Sequence, residues 1–193
     1  MRLTLIRHGQ SQLGDYRVVG GHRGCMGLTP KGVVQARDVG EELLRLALVP
    51  DFILCSVMRR SRQSALILGG VLGAPIGFPT CLLCEVHPGV TDSLSFDDLG
   101  GYGAYLHDDH PIASGGESIK DLNLRTRYLV ELLEKDYSAN YVALVTHFGV
   151  VESFTRLFLE GQVSKDMGVW FGEGRALVVE GSPLKGFALA RLI

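Results

Sequence analysis

A chain of 193 residues with 46% hydrophobic and 21% charged side chains can fill one well-packed core and is short for two. A formal charge of −2 without any Lys/Arg block excludes a protein that coats nucleic acid or an acidic membrane surface, because both need a basic patch. No window holds the roughly 18 consecutive apolar residues of a membrane-spanning helix, and the apolar run in "MRLTLIRHG" is too short for a secretory signal, so a cytoplasmic protein with no nucleic-acid or membrane partner is expected.

The predicted elements alternate between strand and helix. "RLTLI" at 2–6 is a strand that stops at Arg7, His8 and Gly9. "LTPKGVVQARDVGEELLRLAL" is a helix with Thr29 as N-cap and Pro30 at its first position, presenting Val34, Leu43, Leu44 and Ala47 as its apolar residues. "DFILCS" at 51–56 is a second strand, followed by the helix "SRQSALILGGVLG". Residues 86–116 are rich in Gly, Asp and Ser without a helical period, and read as a lid-like excursion. The helix "ESIKDLNLRTRYLVELLEKD" opens at Ser118 with Asp121 three residues on, an approximate capping box, and turns Leu122, Leu129, Leu132 and Leu133 inward. "YVALVT" at 141–146 is a strand, "VVESFTRLFLEG" a helix, and "RALVVEG" at 175–181 and "FALARLI" at 187–193 are the last strands. This order predicts one α/β domain over residues 1–193, a three-layer sandwich with a mostly parallel central sheet.

His8, Arg60 and His147 each follow a predicted strand, with Arg7 beside the first. Ligands of an open α/β sheet bind beyond the carboxyl ends of its strands, so four basic groups converge there as an anion pocket. Cys81 and Cys84 have CxxC spacing and, with His87, offer part of a zinc site. A fourth ligand is not evident and the frame of a redox motif is missing, so Cys25, Cys55, Cys81 and Cys84 are expected as reduced thiols, and neither metal nor cofactor is assigned. "HDDH" at 107–110 reads as a solvated loop, Trp170 with Phe171 as a hydrophobic anchor, and Glu117 with Ser118 as a helix cap.

"LIRHGQS", "LTPKGVVQA", "SVMRRSRQSA", "CEVHPG", "GGES" and "VTHFGVV" occur in an order that resembles the histidine phosphatase superfamily, which includes cofactor-dependent phosphoglycerate mutases and many small phosphatases. The resemblance implies a phosphoglycerate mutase-like fold and a metal-independent phosphatase that acts on a small phosphate monoester, a phosphorylated metabolite. It makes His8 the nucleophile that takes the phosphoryl group, while Arg7, Arg60 and a protonated His147 hold the phosphoryl oxygens and Glu85 donates the proton to the leaving oxygen. The register selects Arg60, leaving Arg59 towards solvent. Gln10, Ser11 and Phe148 complete the substrate-binding set, and Gly9 lets the backbone turn close to phosphate.

Departures from the family pattern concentrate at the substrate side. Gln10, Ser11 and Gly14 stand where many members have Glu, Thr or Ser, and Asn; "GGHRGCMGLT" lacks the form Gly-x-x-Asp-x-Pro-Leu-Thr; and Phe148 and Glu152 replace the commoner Gly and Arg. Two rivals stand beside hydrolysis: a phosphomutase of the same family, and a phosphoryl-binding module without catalysis. The chain stops at "FALARLI" with little tail to close a site, which favours hydrolysis over the mutase; the intact His8, Arg7, Arg60, Glu85 and His147 argue against the silent module. Asp92, Asp97, Asp98, Asp108 and Asp109 would make the excursion an acidic lid that repels polyanions. The sequence carries no indication of oligomeric state.

Overall fold

The computed structural model describes residues 1–99, 109–111, 113–159, 161–162 and 171–193. Five strands, β1 (Arg2–Arg7), β2 (Phe52–Cys55), β3 (Tyr141–Thr146), β4 (Ala176–Ser182) and β5 (Gly186–Leu192), form one sheet in the order β2-β3-β1-β4-β5. β1 and β2 both pair in parallel with β3, whereas β4 is antiparallel to β1 and β5 to β4. β4 alone therefore opposes the other four, and the expected α/β sandwich stands with a mixed sheet. A register shift between Val178 and Val179 marks the β4–β5 edge pair.

The period of two along each strand divides the core into two layers. Leu3, Leu5, Val142, Leu144, Leu177 and Val179 pack against α4 (Ile119–Tyr137) and α5 (Phe148–Phe158) through Leu129, Leu133, Val151 and Phe154. Their neighbours Ile6, Ala143, Val145 and Ala176 face α2 (Pro30–Arg45) and α3 (Arg59–Leu72), where Val39, Leu43, Ala65 and Leu68 meet them. Strands covered on both sides have no need of a polar face, which is why they read as nearly continuous apolar runs.

Local signals account for the helix boundaries. Thr29 accepts a hydrogen bond from the Gly32 N–H at 3.0 Å with Pro30 behind it, and α4 opens on a full capping box between Ser118 and Asp121. α3 ends at Gly73 in the left-handed conformation (φ +65°), where a side chain would be strained. The expected inward face of α2 needs correction. Val34 is 51% and Leu44 50% exposed, Ala47 lies beyond the helix, and the buried residues are Gly32, Ala36, Val39, Gly40 and Leu43. Small residues win this face because α3 is close: a Cβ on Gly40 would sit 3.0 Å from Val71 Cγ1.

Part of the predicted excursion, 100–108 and 112, lies outside the described residues, as do His107 and Asp108 of "HDDH" and Trp170. Phe171 is fully buried in the core. Within the excursion a short 3-10 turn, Gly89–Thr91, leads to Asp92, which is buried. Asp92 accepts hydrogen bonds from the backbone N–H groups of Gly21 (3.0 Å), Arg23 (2.8 Å) and Gly24 (3.2 Å). It staples the loop at 21–24 and is not part of an acidic lid; Asp97 pairs with Arg17 on the surface. Among the described residues no helix is long and apolar enough to cross a membrane.

Candidate active site

The register of β1 on β3 builds the site. Arg7 stands opposite Thr146, so the residues that leave the two strands, His8 and His147, emerge side by side; the His8 N–H donates to Thr146 O at 3.0 Å and the imidazole centroids lie 5.0 Å apart. β2 ends one step away, and Ser56 N–H donates to Val145 O at 3.1 Å. α3 then begins with Arg59 exposed and Arg60 buried, directing the Arg60 guanidinium back across the sheet end.

His8 is 5% exposed and its two nitrogens have different partners. Nδ1 lies 2.7 Å from Gly9 O and can only donate there, which leaves Nε2 with its lone pair; Arg60 Nε donates to that nitrogen at 3.0 Å. Burial, and then the adjacent Arg60, hold the His8 pKa well below the usual histidine value, outweighing the opposing effect of the Gly9 hydrogen bond. His8 is thus a neutral imidazole with one nucleophilic nitrogen.

His147 is fully buried at the N-cap of α5. Ser56 Oγ lies 2.7 Å from His147 Nε2 and accepts from the Met58 N–H at 3.3 Å; with no other acceptor for its hydroxyl proton among the described residues, it is assigned as donor to Nε2, which puts the ring proton on Nδ1. The expectation of a protonated His147 is not met. Burial, reinforced by Arg60, His8, Arg125 and Arg7, pushes its pKa well below the ordinary value. It is a neutral donor.

Arg7 donates through Nη1 to Phe171 O at 3.0 Å, with its guanidinium 5.4 Å from the Phe148 ring centroid. Arg60 Nη2 donates to Gly20 O at 3.1 Å. Among the described residues, four buried side-chain polar atoms have no hydrogen-bond partner within the protein, and three belong to this cluster: Arg7 Nε, Arg60 Nη1 and His147 Nδ1. These three buried N–H donors equal in number the equatorial oxygens of a phosphoryl group; Arg7 and Arg60 line the cavity over His8, whereas His147 stands behind them and is not among its lining residues.

Glu85 reaches the site from a different layer. Thr146 Oγ1 donates to Leu83 O at 2.7 Å, anchoring the 3-10 turn Cys81–Leu83 on the end of β3 two residues before Glu85. The Glu85 carboxylate accepts from the backbone N–H groups of Val86 (3.0 Å) and Gly149 (3.1 Å). Arg125 secures this loop from below, donating to Leu82 O at 3.0 Å and Cys84 O at 2.8 Å, and to Glu117 at 2.7 and 2.8 Å. Glu117 is therefore more than a cap. Burial raises its pKa, but the Arg125 guanidinium and the His87 N–H prevail and keep it below the ordinary carboxylate value.

A cavity of about 200 Å³ opens over these groups, and Arg7, His8, Arg60, Glu85 and Ser11 line it together with Glu173 and the apolar Leu13, Val19, Val86 and Phe96. A larger cleft of about 570 Å³ beside Asp38 and Glu42 contains none of the four basic residues. Two expected substrate contacts are placed elsewhere. Gln10 turns to the α2 N-terminus, where its Oε1 accepts from Thr29 Oγ1 at 2.9 Å, and Phe148 lies against Arg7 outside the cavity lining. The tight passage at Gly9 faces α2, since a Cβ there would strike Gly32 O. Sequence reasoning missed Glu173, which has no motif around it, and Gly149, where a Cβ would fall on Glu85 Oε1.

The profile of the histidine phosphatase superfamily (branch 1) matches residues 3–171. An adenosylcobalamin/α-ribazole phosphatase of Escherichia coli strain K12 is 29% identical over 159 residues, covering 78% of this chain and 75% of its own. A 2,3-bisphosphoglycerate-dependent phosphoglycerate mutase of Bradyrhizobium diazoefficiens is 31% identical over 158 residues, covering 75% and 74%. Among solved structures, the α-ribazole phosphatase of Shigella flexneri superposes with a TM-score of 0.80 at 24% identity, over 100% of this chain and 96% of its own. A mycobacterial glucosyl-3-phosphoglycerate phosphatase gives 0.75 at 24% identity, over 98% and 97%. These two establish likeness of fold.

Proposed function

Because the chain belongs to the histidine phosphatase superfamily, we propose that it hydrolyses a small phosphate monoester through a phosphohistidine on His8, with no metal taking part in the chemistry. The observation that carries this reading is the bond from Arg60 Nε to His8 Nε2, with Nδ1 tied to Gly9 O. It presents a neutral nucleophile in one cluster with three buried N–H donors that have no protein partner.

In the first step His8 Nε2 attacks phosphorus, the P–N bond forms and the P–O bond to the alcohol breaks. The departing oxygen takes a proton from Glu85. Arg7, Arg60 and His147 hold the three equatorial oxygens, and Arg60 moves its Nε–H from the nitrogen that is now bonded to phosphorus onto an oxygen. In the second step Glu85 takes a proton from water, the oxygen attacks phosphorus, and the P–N bond breaks to release phosphate and the imidazole. Cationic and N–H donors supply the stabilisation that a metal ion gives elsewhere, so added Mg²⁺ leaves kcat unchanged.

The cavity supports the substrate class. Beyond the basic cluster its described walls are apolar apart from Ser11 and the carboxylates of Glu85 and Glu173. Among the described lining residues a second phosphate group would face them without a further cation, so one phosphate on a neutral or cationic remainder fits better than a bisphosphate. The described start of the 86–116 segment adds Val86, Pro88 and Phe96 to the cavity wall.

Rapid quench with labelled substrate followed by alkaline work-up tests the mechanism. Glu85→Gln should accumulate acid-labile, base-stable phosphate on His8, while turnover falls by roughly 10² to 10⁴. His8→Ala should lose the label and essentially all turnover. Label on a serine or cysteine, or wild-type turnover in His8→Ala, would remove the phosphohistidine.

A further inference from the structure

Cys81, Cys84 and His87 lacked a fourth partner in the sequence, and the fold provides it: His22, from the loop that Asp92 staples, comes down onto the two thiols. His22 Nε2 lies 3.2 Å from Cys81 Sγ and 3.4 Å from Cys84 Sγ; His87 Nε2 lies 3.4 Å from Cys81 Sγ, and the two sulfurs are 3.2 Å apart. All four atoms lie within 4.8 Å of one another. We propose that His22, Cys81, Cys84 and His87 form a closed Cys2His2 site for a structural zinc ion, which ties the loop bearing Glu85 to the loop that grips Arg60.

The donor set selects the metal. Two thiolates and two imidazoles in a tetrahedral arrangement suit Zn²⁺, and bond lengths of about 2.3 Å to sulfur and 2.0 to 2.1 Å to nitrogen require sulfur–nitrogen edges of about 3.5 Å and a sulfur–sulfur edge of about 3.8 Å. Three of the four sulfur–nitrogen edges, at 3.2, 3.4 and 3.4 Å, lie near this value, the sulfurs at 3.2 Å need to separate, and the remaining edges fall within 4.8 Å. Local structure prepares the pair: the Cys84 N–H donates to Cys81 O at 3.0 Å, and the 3-10 turn between them places both thiols on one side.

An independent observation comes from behind His87. Its Nδ1 faces Glu117 Oε2 at 3.7 Å, while Glu117 is itself held by Arg125 and by the His87 N–H at 3.0 Å. At 3.7 Å this is a charge contact and not a hydrogen bond, but a carboxylate facing the far nitrogen favours a proton there and so leaves Nε2 for a metal, as carboxylates behind zinc-bound histidines do. A simple cluster of thiols needs no such support, and a Cys81–Cys84 disulfide would leave both Nε2 atoms without a purpose.

Four protein ligands leave no open position, so the ion orders the site and does not touch the substrate. Glu85 is the residue after Cys84. On the other side, Gly20 O takes Arg60 Nη2 and Cys25 Sγ takes the Arg60 N–H, three residues beyond His22. The ion therefore fastens the proton donor and the phosphate-binding arginine to one knot.

The test uses the full chain, reduced, refolded with Zn²⁺ and freed of excess metal. One zinc per chain by mass spectrometry of the elements is expected, and Co²⁺ in its place should give the intense visible bands of a tetrahedral thiolate site. His22→Ala, a change at an exposed side chain, should keep the circular dichroism spectrum and lose those bands; Cys81→Ser with Cys84→Ser should hold no zinc. Glu117→Gln should weaken zinc about 10- to 100-fold in competition with a chromophoric chelator. A reduced chain that takes up no zinc, or a pale octahedral Co²⁺ spectrum unchanged by His22→Ala, overturns the proposal. Metal content is read without any turnover, so this result is separate from the fate of the phosphohistidine.

Discussion

Gly149→Ala separates the chemistry from the fold more cleanly than removal of Glu85. The new Cβ would fall on Glu85 Oε1, with Leu122 Cδ2 a further neighbour at 3.3 Å. The leucine can give by a few tenths of an ångström, but the carboxylate must swing away by about 1 Å, and a misplacement of that size costs roughly 10² in rate. Tenfold in rate is about 1.4 kcal/mol, so the barrier rises by about 3 kcal/mol. The fold should hardly register the change, because alanine in place of glycine favours a helix by up to about 1 kcal/mol and offsets the crowding at Leu122. The assay compares kcat/KM on an alkyl phosphate and on p-nitrophenyl phosphate, beside a thermal melt. We expect a loss of about 10² on the alkyl ester, a smaller loss on the aryl ester, whose leaving group needs little proton, and a Tm within about 4 °C of wild type. Wild-type kcat/KM on the alkyl ester would refute the placement of Glu85; equal losses on both esters with a fallen Tm would show general disruption.

Three further perturbations follow from the same contacts. His8 and His147 are buried and neutral with pKa values held well below the ordinary one, whereas the unfolded chain protonates both near pH 6.5; the unfolded state then binds more protons, so stability is flat above about pH 6.5 and declines below it, by up to about 1.4 kcal/mol per pH unit for each histidine. Thermal melts from pH 8 to 5 should show that break, and a level Tm across the range would contradict the burial of two neutral imidazoles. Arg60→Ala removes the largest charge effect that lowers the His8 pKa, so the His8 resonance should titrate at higher pH by NMR, with kcat/KM reduced by roughly 10² to 10³; an unmoved titration would break the Arg60–His8 pairing. Leu44→Lys, on an exposed site, should change stability by less than about 0.5 kcal/mol, while Gly40→Leu, against Val71, should cost about 1–3 kcal/mol in a denaturant titration; the reverse order would mean that α2 presents the other face.

The sequence by itself determined what depends on neighbours along the chain. Five strand runs, the Thr29 and Ser118 caps and the basic residues at strand ends are local patterns of hydrophobicity and hydrogen-bonding chemistry, and each appears in the fold where its pattern stands. Tertiary structure decided whatever depends on approach between distant segments. That β4 opposes the other strands follows from pairing with β1 across the chain, which no local period records. Val34 and Leu44 have the right size for a core, but the closeness of α3 at Gly40 gives that face to small residues. The neutrality of His147 comes from burial among three arginines and His8, a property of the assembled site. The fourth member of the cysteine–histidine cluster stands 59 residues from Cys81 in the chain and 3.2 Å from it in space, because only the folded loop, stapled by Asp92, brings a lone histidine to a pair of thiols.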